Sequence, residues 1–210
     1  MDNQIPVRTA LSGFKPVAGE NTLIEAPLNG KINLRGNPNN ATFIKGVENA
    51  LGLVLPPAAN TVTSSAELHI FWLGPDEWLI HLPLESVEEK SNALREALDH
   101  QHTAITEVSD YFSVLQLSGP LAREIIASAS PFDTRPQHFT NGECAQTRFG
   151  HASILLWPLE GSPAFGLQVR WSYAQYVYDY LSQSIRNAEA LNAFELNSHT
   201  SNNISLTPTP

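Results

Sequence analysis

The residues of this chain that could do chemistry are few, and none forms a complete set. His100-Gln101-His102 would put two imidazoles on one face of a strand, while His138, Cys144 and His151 follow at gaps of six and seven. Neither spacing matches a closed zinc site, and a solvated turn accounts for the first pair. A nucleophile needs a base within reach and a group to orient that base. No G-x-S-x-G elbow occurs, and Cys144, within Gly-Glu-Cys-Ala-Gln-Thr, has no local partner. It reads as a small buried apolar residue. Neither G-x-G-x-x-G nor G-x-x-x-x-G-K-[ST] is present, so a flavin or nicotinamide would have to be held by another chain. No catalytic, cofactor-binding or metal-binding residue is assigned.

Carboxylates and aromatics remain. Asp76 and Glu77 fall on a hairpin tip, and Glu107 and Asp110 flank a strand boundary. They read either as solvated turn residues or as partners that orient Arg or Lys, here or on another subunit. In Trp72-Leu73-Gly74-Pro75-Asp76-Glu77-Trp78, two tryptophans straddle one tight turn. Strands paired in register would put both indoles on one face. That face is either core or, beside Asp76, a protein–protein contact rich in Trp and Arg. Arg170-Trp171 presents the same choice. The candidate partner-interface residues are therefore Arg35, Trp72, Asp76, Trp78, Arg170 and Trp171.

The elements that must position these groups can be read in order. Lys31–Arg35 alternates like a strand and stops at Gly36. Asn37–Asn40 offers a turn and an N-cap, then Phe43, Ile44, Val47 and Leu51 recur at helical spacing up to Gly52. Leu68–Leu73 and Glu77–Leu82 read as a hairpin. Ser86 to about His100 is a polar helix opened by an S-x-x-E box, followed by strands at Ala104–Val108 and Phe112–Leu117. The order strand, helix, strand, strand, helix, strand is the ferredoxin-like split βαβ pattern. It starts again with Ser118-Gly119-Pro120, a helix through Ile125, Ile126 and Ala129, a hairpin Glu143–Phe149 and Ala152–Trp157 around Gly150, a strand Phe165–Arg170, and a helix Tyr173–Ile185. Matching Gly36 with Gly119 and Gly74 with Gly150 gives a pseudo-repeat. The fold class is α+β, with two ferredoxin-like lobes at about 28–110 and 111–187.

Composition bounds the rest. The chain has 210 residues, 12 basic against 21 acidic, and a net charge of −9. The basic residues are scattered, which argues against nucleic-acid binding. One cysteine excludes an intrachain disulfide. Met1–Leu11 lacks the apolar stretch of a secretory signal, and the longest apolar run, Leu51–Ala59, carries Gly52 and two prolines. A cytoplasmic protein with no membrane partner is expected. Residues 1–17 read as an extended lead-in. From Asn197, eleven of fourteen residues are Asn, Ser, Thr or Pro, and residues 188–210 read as a disordered tail.

Read together, Leu34-Arg35-Gly36, Trp72-Leu73-Gly74-Pro75-Asp76-Glu77-Trp78-Leu79, Val108-Ser109-Asp110, Leu117-Ser118-Gly119-Pro120 with Ala122-Arg123, Pro131-Phe132-Asp133, Phe139, Gly142–Thr147 and Val169–Ala174 resemble the gamma subunit of heterotetrameric sarcosine oxidase. The resemblance spans residues 18–187. Glu107 stands where the family commonly has Asp, and Trp171 splits a familiar arginine-serine pair. The K-G-C-Y-x-G-Q signature of the iron–sulfur-repair folate proteins is missing.

The resemblance implies a fold like the folate-binding domain of the glycine-cleavage aminomethyltransferase. It implies a non-catalytic, cytoplasmic subunit that supports assembly and stability of a flavoenzyme. That enzyme oxidises sarcosine to glycine, with hydrogen peroxide and formaldehyde or methylenetetrahydrofolate as products. FAD, FMN, NAD, zinc and tetrahydrofolate are expected on other subunits; alpha is the expected partner, with beta and delta in the same complex. The alternative is a stand-alone folate-binding or aminomethyl-transfer protein, with Glu107 or Asp110 gripping the pterin.

Overall fold

The computed structural model describes residues 8–161 and 163–202, with 192–202 as backbone alone. Its strands are β1 (Thr22–Glu25), β2 (Gly30–Arg35), β3 (Val62–Ser64), β4 (His69–Gly74), β5 (Glu77–Leu82), β6 (Ala104–Glu107), β7 (Phe112–Ser118), β8 (Ala145–Phe149), β9 (Ala152–Pro158) and β10 (Ala164–Arg170). The helices are α1 (Ala41–Leu51), α2 (Val87–Ala97), α3 (Ala122–Ala127) and α4 (Ala174–Asn202).

Two five-stranded antiparallel sheets form, in the orders β3-β4-β5-β2-β6 and β8-β9-β10-β7-β1. Alternation along each strand sends one set of side chains to the helices and the other to the facing sheet. Ile32, Leu34, Ile70, Trp78 and Ile80 meet α1 and α2 in one core. Leu115, Leu117, Phe165, Leu167 and Val177 belong to a second core with α3 and α4. A third, thinner core of Phe71, Leu79, Val114, Cys144, Leu155 and Trp157 joins the sheets face to face.

Local chemistry accounts for the helix ends. The Asn40 side chain accepts from the Thr42 N–H, and Gly52 closes α1 in the left-handed conformation with φ 73°. Gly46 lets α1 approach α2, because a Cβ there would lie 2.8 Å from Leu98 and 2.9 Å from the Ala97 carbonyl. The expected Ser86 capping box does not form: Ser86 makes no side-chain cap. A turn of 3₁₀ helix at Leu84–Ser86 leads into α2 instead, satisfying the first turn by backbone bonds.

The duplication is real, but its register differs from the sequence reading. The two sheet orders match strand for strand, so the β4–β5 hairpin corresponds to β9–β10, not to β8–β9. The turn at Gly74 therefore corresponds to the β9–β10 turn around Gly161, and Gly150 lies in the β8–β9 hairpin, the counterpart of the β3–β4 pair. Gly36 and Gly119 do correspond. Pro83 and Arg170, at the ends of β5 and β10, share φ/ψ of −55°/140° and −59°/139°. Both precede a 3₁₀ turn and then the second helix of their lobe.

The lobes are also not contiguous in sequence. β6 supplies the fifth, edge strand of the first lobe, but the chain has no strand after α4 among the described residues. β1 fills that place, pairing with β7 ahead of the first lobe in sequence.

The C-terminal region departs from expectation too. α4 runs on to Asn202, past residue 187 where the sequence reading ends the ordered chain. Ala188 to Leu191 are good helix formers. Ala188 packs on the second-lobe core, and Glu189 accepts from the buried Asn21 side chain at 3.2 Å. Residues 203–210, and 1–7 of the lead-in, lie outside the described residues. Of the rest of the lead-in, Leu11 is buried and Val17 bridges Leu23.

Candidate interaction surface and inter-sheet cleft

The Trp72–Trp78 pair shows how register decides a side chain's role. The two residues sit opposite each other across β4 and β5, so both indoles do share a face. That face meets the helices. Trp78 is 2% exposed and its ring centroid lies 5.7 Å from Phe43. The expected placement of Trp78 at a partner interface is corrected: it is a core residue of its own lobe. Trp72 is half-buried against the same core.

Asp76, at the tip, is exposed and takes the Arg35 guanidinium at 3.2 Å. Glu77 accepts from Asn33 at 2.8 Å and lies 3.9 Å from Arg35. So Asp76 and Glu77 orient an arginine of this same chain, and the exposed pair adds at most about 1 kcal/mol. Glu107 is likewise used locally, accepting from Ser109 at 2.9 Å, and Asp110 is exposed. Ser109 in turn accepts from the Lys31 backbone N–H.

Arg170 and Trp171 lie on a different surface. The β7–β10 register sets Arg170 beside Phe112, which carries Arg170 over Tyr111, 5.3 Å from the ring centroid. Tyr111 packs edge-on against Phe112. Tyr111, Trp171 and Tyr173 are 48%, 38% and 43% exposed. These aromatics around a guanidinium form an exposed amphipathic patch of the type enriched in contact hot spots. Tyr111 and Tyr173 were not singled out from sequence. Only the pairing of β7 with β10 brings Asp110-Tyr111-Phe112 next to Arg170–Tyr173, and no local motif announces it.

Next to this patch the sheets splay apart. A cleft of about 640 Å³ opens between them, with Leu79 and Leu155 among its apolar walls and Asn33, Glu77, Thr106, Arg148 and Arg170 among its polar ones. Its size is in the range of small-ligand pockets, roughly 300–1,000 Å³. The lining has hydroxyls, amides, guanidiniums and one carboxylate. It offers recognition by hydrogen bonds rather than a nucleophile with a base.

Buried polar groups, Lys31, His81 and Gln168, accompany the apolar inter-sheet core. Lys31 donates to Asn29 Oδ1 at 2.7 Å, and burial pulls its ammonium down to about 8 against the opposing pull of Asp110. His81, 3% exposed, is brought down to about 3 by burial and then by the Lys31 charge. Burial pushes the Cys144 thiol up to about 12; it donates to the Thr61 carbonyl at 3.4 Å. The histidines weighed as ligands are scattered. His100 meets Asp99 at 3.0 Å, and His102, His138 and His151 are exposed. Among the described residues, no group of three or more His, Cys, Asp or Glu could hold a metal ion. No described helix is long and apolar enough to cross a membrane.

Two ferredoxin-like units with sheets face to face define a class of fold shared with the glycine cleavage aminomethyltransferase T of Bartonella henselae. That structure superposes with a TM-score of 0.54 at 14% identity, covering 76% of this chain and 44% of that one. Within the class, the model of the sarcosine oxidase gamma subunit family matches residues 35–188, and the chain belongs to that family. The sarcosine oxidase subunit gamma of Corynebacterium sp. (strain U-96) is 29% identical over 177 residues, covering 83% of this chain and 84% of the relative. A chain of the heterotetrameric sarcosine oxidase from Corynebacterium sp. U-96, in complex with pyrrole 2-carboxylate, superposes with a TM-score of 0.78. The identity is 25%, with 86% of this chain and 95% of that one covered.

Proposed function

We propose that this chain is the non-catalytic gamma subunit of a heterotetrameric sarcosine oxidase. The observation that carries the reading is the superposition on a chain of that assembly over nearly its whole length. The complex would be cytoplasmic and would demethylate sarcosine oxidatively to glycine, forming hydrogen peroxide and formaldehyde or methylenetetrahydrofolate. FAD, FMN, NAD, zinc and tetrahydrofolate would sit on other subunits.

The contact with the alpha subunit would run through the patch of Tyr111, Arg170, Trp171 and Tyr173, with the Arg35–Asp76 tip and Trp72 as a second contact. Exposed aromatics flanking a guanidinium support this choice over the Trp78 face. A subunit that binds only the folded partner stabilises it by mass action. That is the function proposed for this chain.

The test is capture of a tagged chain from its native host grown on sarcosine, with an absorption spectrum and a peroxide assay of the eluate. A yellow complex with larger subunits and sarcosine-dependent peroxide is the expected result. A colourless chain eluting alone would overturn the reading, and titration with tetrahydrofolate would then test the stand-alone alternative.

A further inference from the structure

We propose that the cleft between the two sheets binds a short dicarboxylate. Its floor carries a donor with nothing to bond. Gln168 is 3% exposed, and its side-chain carbonyl accepts from His81 at 2.6 Å. The amide nitrogen brings two more N–H donors, which have no partner among the described residues. The other amides of the lining are engaged: Gln146 donates to the Leu73 carbonyl at 2.6 Å, and Asn33 donates to Glu77 at 2.8 Å. The Gln168 nitrogen does not belong to the enclosed, unbonded donors, such as those of Trp78 and Arg123. Solvent therefore reaches it, and Gln168 lines the cleft. Tied to His81 by its oxygen, the amide presents its nitrogen to that space.

Two guanidiniums stand beyond this donor on the same sheet. Arg148 pairs with Ser153 across β8 and β9, and Ile154 pairs with Val169, so Ser153 lies next to Arg170 on β10. These three residues make one rung, two positions along from the rung of Gln146, Leu155 and Gln168. Residues two apart on a strand share a face, and two strand spacings put the Arg148 and Arg170 backbones about 10 Å apart. Tyr111 orients the Arg170 guanidinium. Neither arginine enters the ion pairs among the described residues.

The neighbouring carboxylates are occupied elsewhere. Glu77, the one acid of the lining, accepts from Asn33 and has Arg35 at 3.9 Å. Glu107 accepts from Ser109 at 2.9 Å, and the charge of the exposed Asp110 falls on Lys31. Two separated guanidinium forks, a serine between them, a buried amide N–H and the apolar wall of Leu79 and Leu155 match two carboxylates on a short carbon body. Phosphate is better held by backbone N–H groups converging at a glycine loop or helix start, and no glycine lines this cleft.

The test uses the full chain as wild type, Arg148→Met and Gln168→Glu, with folding checked by circular dichroism. Glutamate keeps the acceptor for His81 and removes the N–H donors. Sodium glutarate and sodium butyrate are titrated at ionic strength held constant with chloride, following the Gln168 side-chain N–H and arginine Nε–H signals by NMR. The expected result is a saturable glutarate shift in wild type, about tenfold or more weaker in each variant, with butyrate weaker than glutarate by a similar factor. A linear drift without saturation, or equal saturation in wild type and Arg148→Met, would overturn the site. Butyrate binding as tightly as glutarate would overturn the second carboxylate. Should Gln168→Glu not fold, Arg148→Met decides alone. Arg148 and Gln168 lie outside the patch proposed to meet alpha, so this site and the subunit reading stand or fall separately.

Discussion

The imidazole of His81 donates to the side-chain carbonyl of Gln168 at 2.6 Å, and the two residues hold the same place in the two lobes. Each lies three residues before the first residue of the 3₁₀ turn that follows its strand, so the bond falls on the pseudo-twofold axis between the sheets. Phe71 and Trp157 are likewise equivalent and meet at 4.8 Å. The duplicated halves therefore bind each other through corresponding positions, as an isologous dimer does.

This joint makes stability depend on pH. His81 is held at about 3 in the folded chain, first by burial, against 6.5 as its ordinary value. Between those values the unfolded chain binds the extra proton, so stability is full above 6.5 and falls as pH drops toward 3. The slope from this group alone is about 1.4 kcal/mol per pH unit. Urea unfolding of wild type and His81→Gln between pH 7 and 4 should show a shallower decline in the variant. Parallel declines would remove His81 from the account.

The two tryptophans Trp78 and Trp171 should behave oppositely. Trp78→Ala empties a packed site and should cost about 3–5 kcal/mol of folding stability. Trp171→Ala should change stability by roughly 0.5 kcal/mol or less, while weakening capture by the partner subunits about tenfold or more. Chemical denaturation and quantitative pull-down separate the effects. Undiminished capture of the Trp171 variant would move the docking face elsewhere.

Gly119 holds the N-terminal strand in place. Its φ is +127°, and an added Cβ would stand 2.4 Å from the Glu20 carbonyl and 2.6 Å from Asn21 Cα. Gly119→Ala should therefore loosen β1 from β7, at a cost above about 1 kcal/mol. Amide hydrogen exchange is the measurement, with faster exchange expected first in residues 22–25. Unchanged protection there would mean that the chain relieves the clash without moving β1.

Cys144 should be unreactive in the folded chain. With the thiol at about 12 and 2% exposed, almost no accessible thiolate exists at pH 8. Iodoacetamide should label it only in urea. Labelling of the native chain at the rate of a free thiol would show that the site opens readily.

Much of the fold was legible because its signals are local. The Asn40 and Gly52 caps, the Gly74-Pro75-Asp76 turn and the alternation along Lys31–Arg35 each act within a few residues. The polar composition after Asn197 reads as disorder, yet α4 persists to Asn202. What composition omits is that Ala188 and Glu189 find a core and a buried amide to hold.

By itself the sequence determined the helices and the strands of the two lobes other than β1 and β3, and the residues that mark the family. Tertiary structure alone decided that β1 completes the second lobe, which sheet face receives Trp78, and that Tyr111 meets Arg170. The reason is the period of a strand. Alternation says that two residues share a face, but only the docking of helices on one side and a second sheet on the other says whether that face is core, cleft or surface.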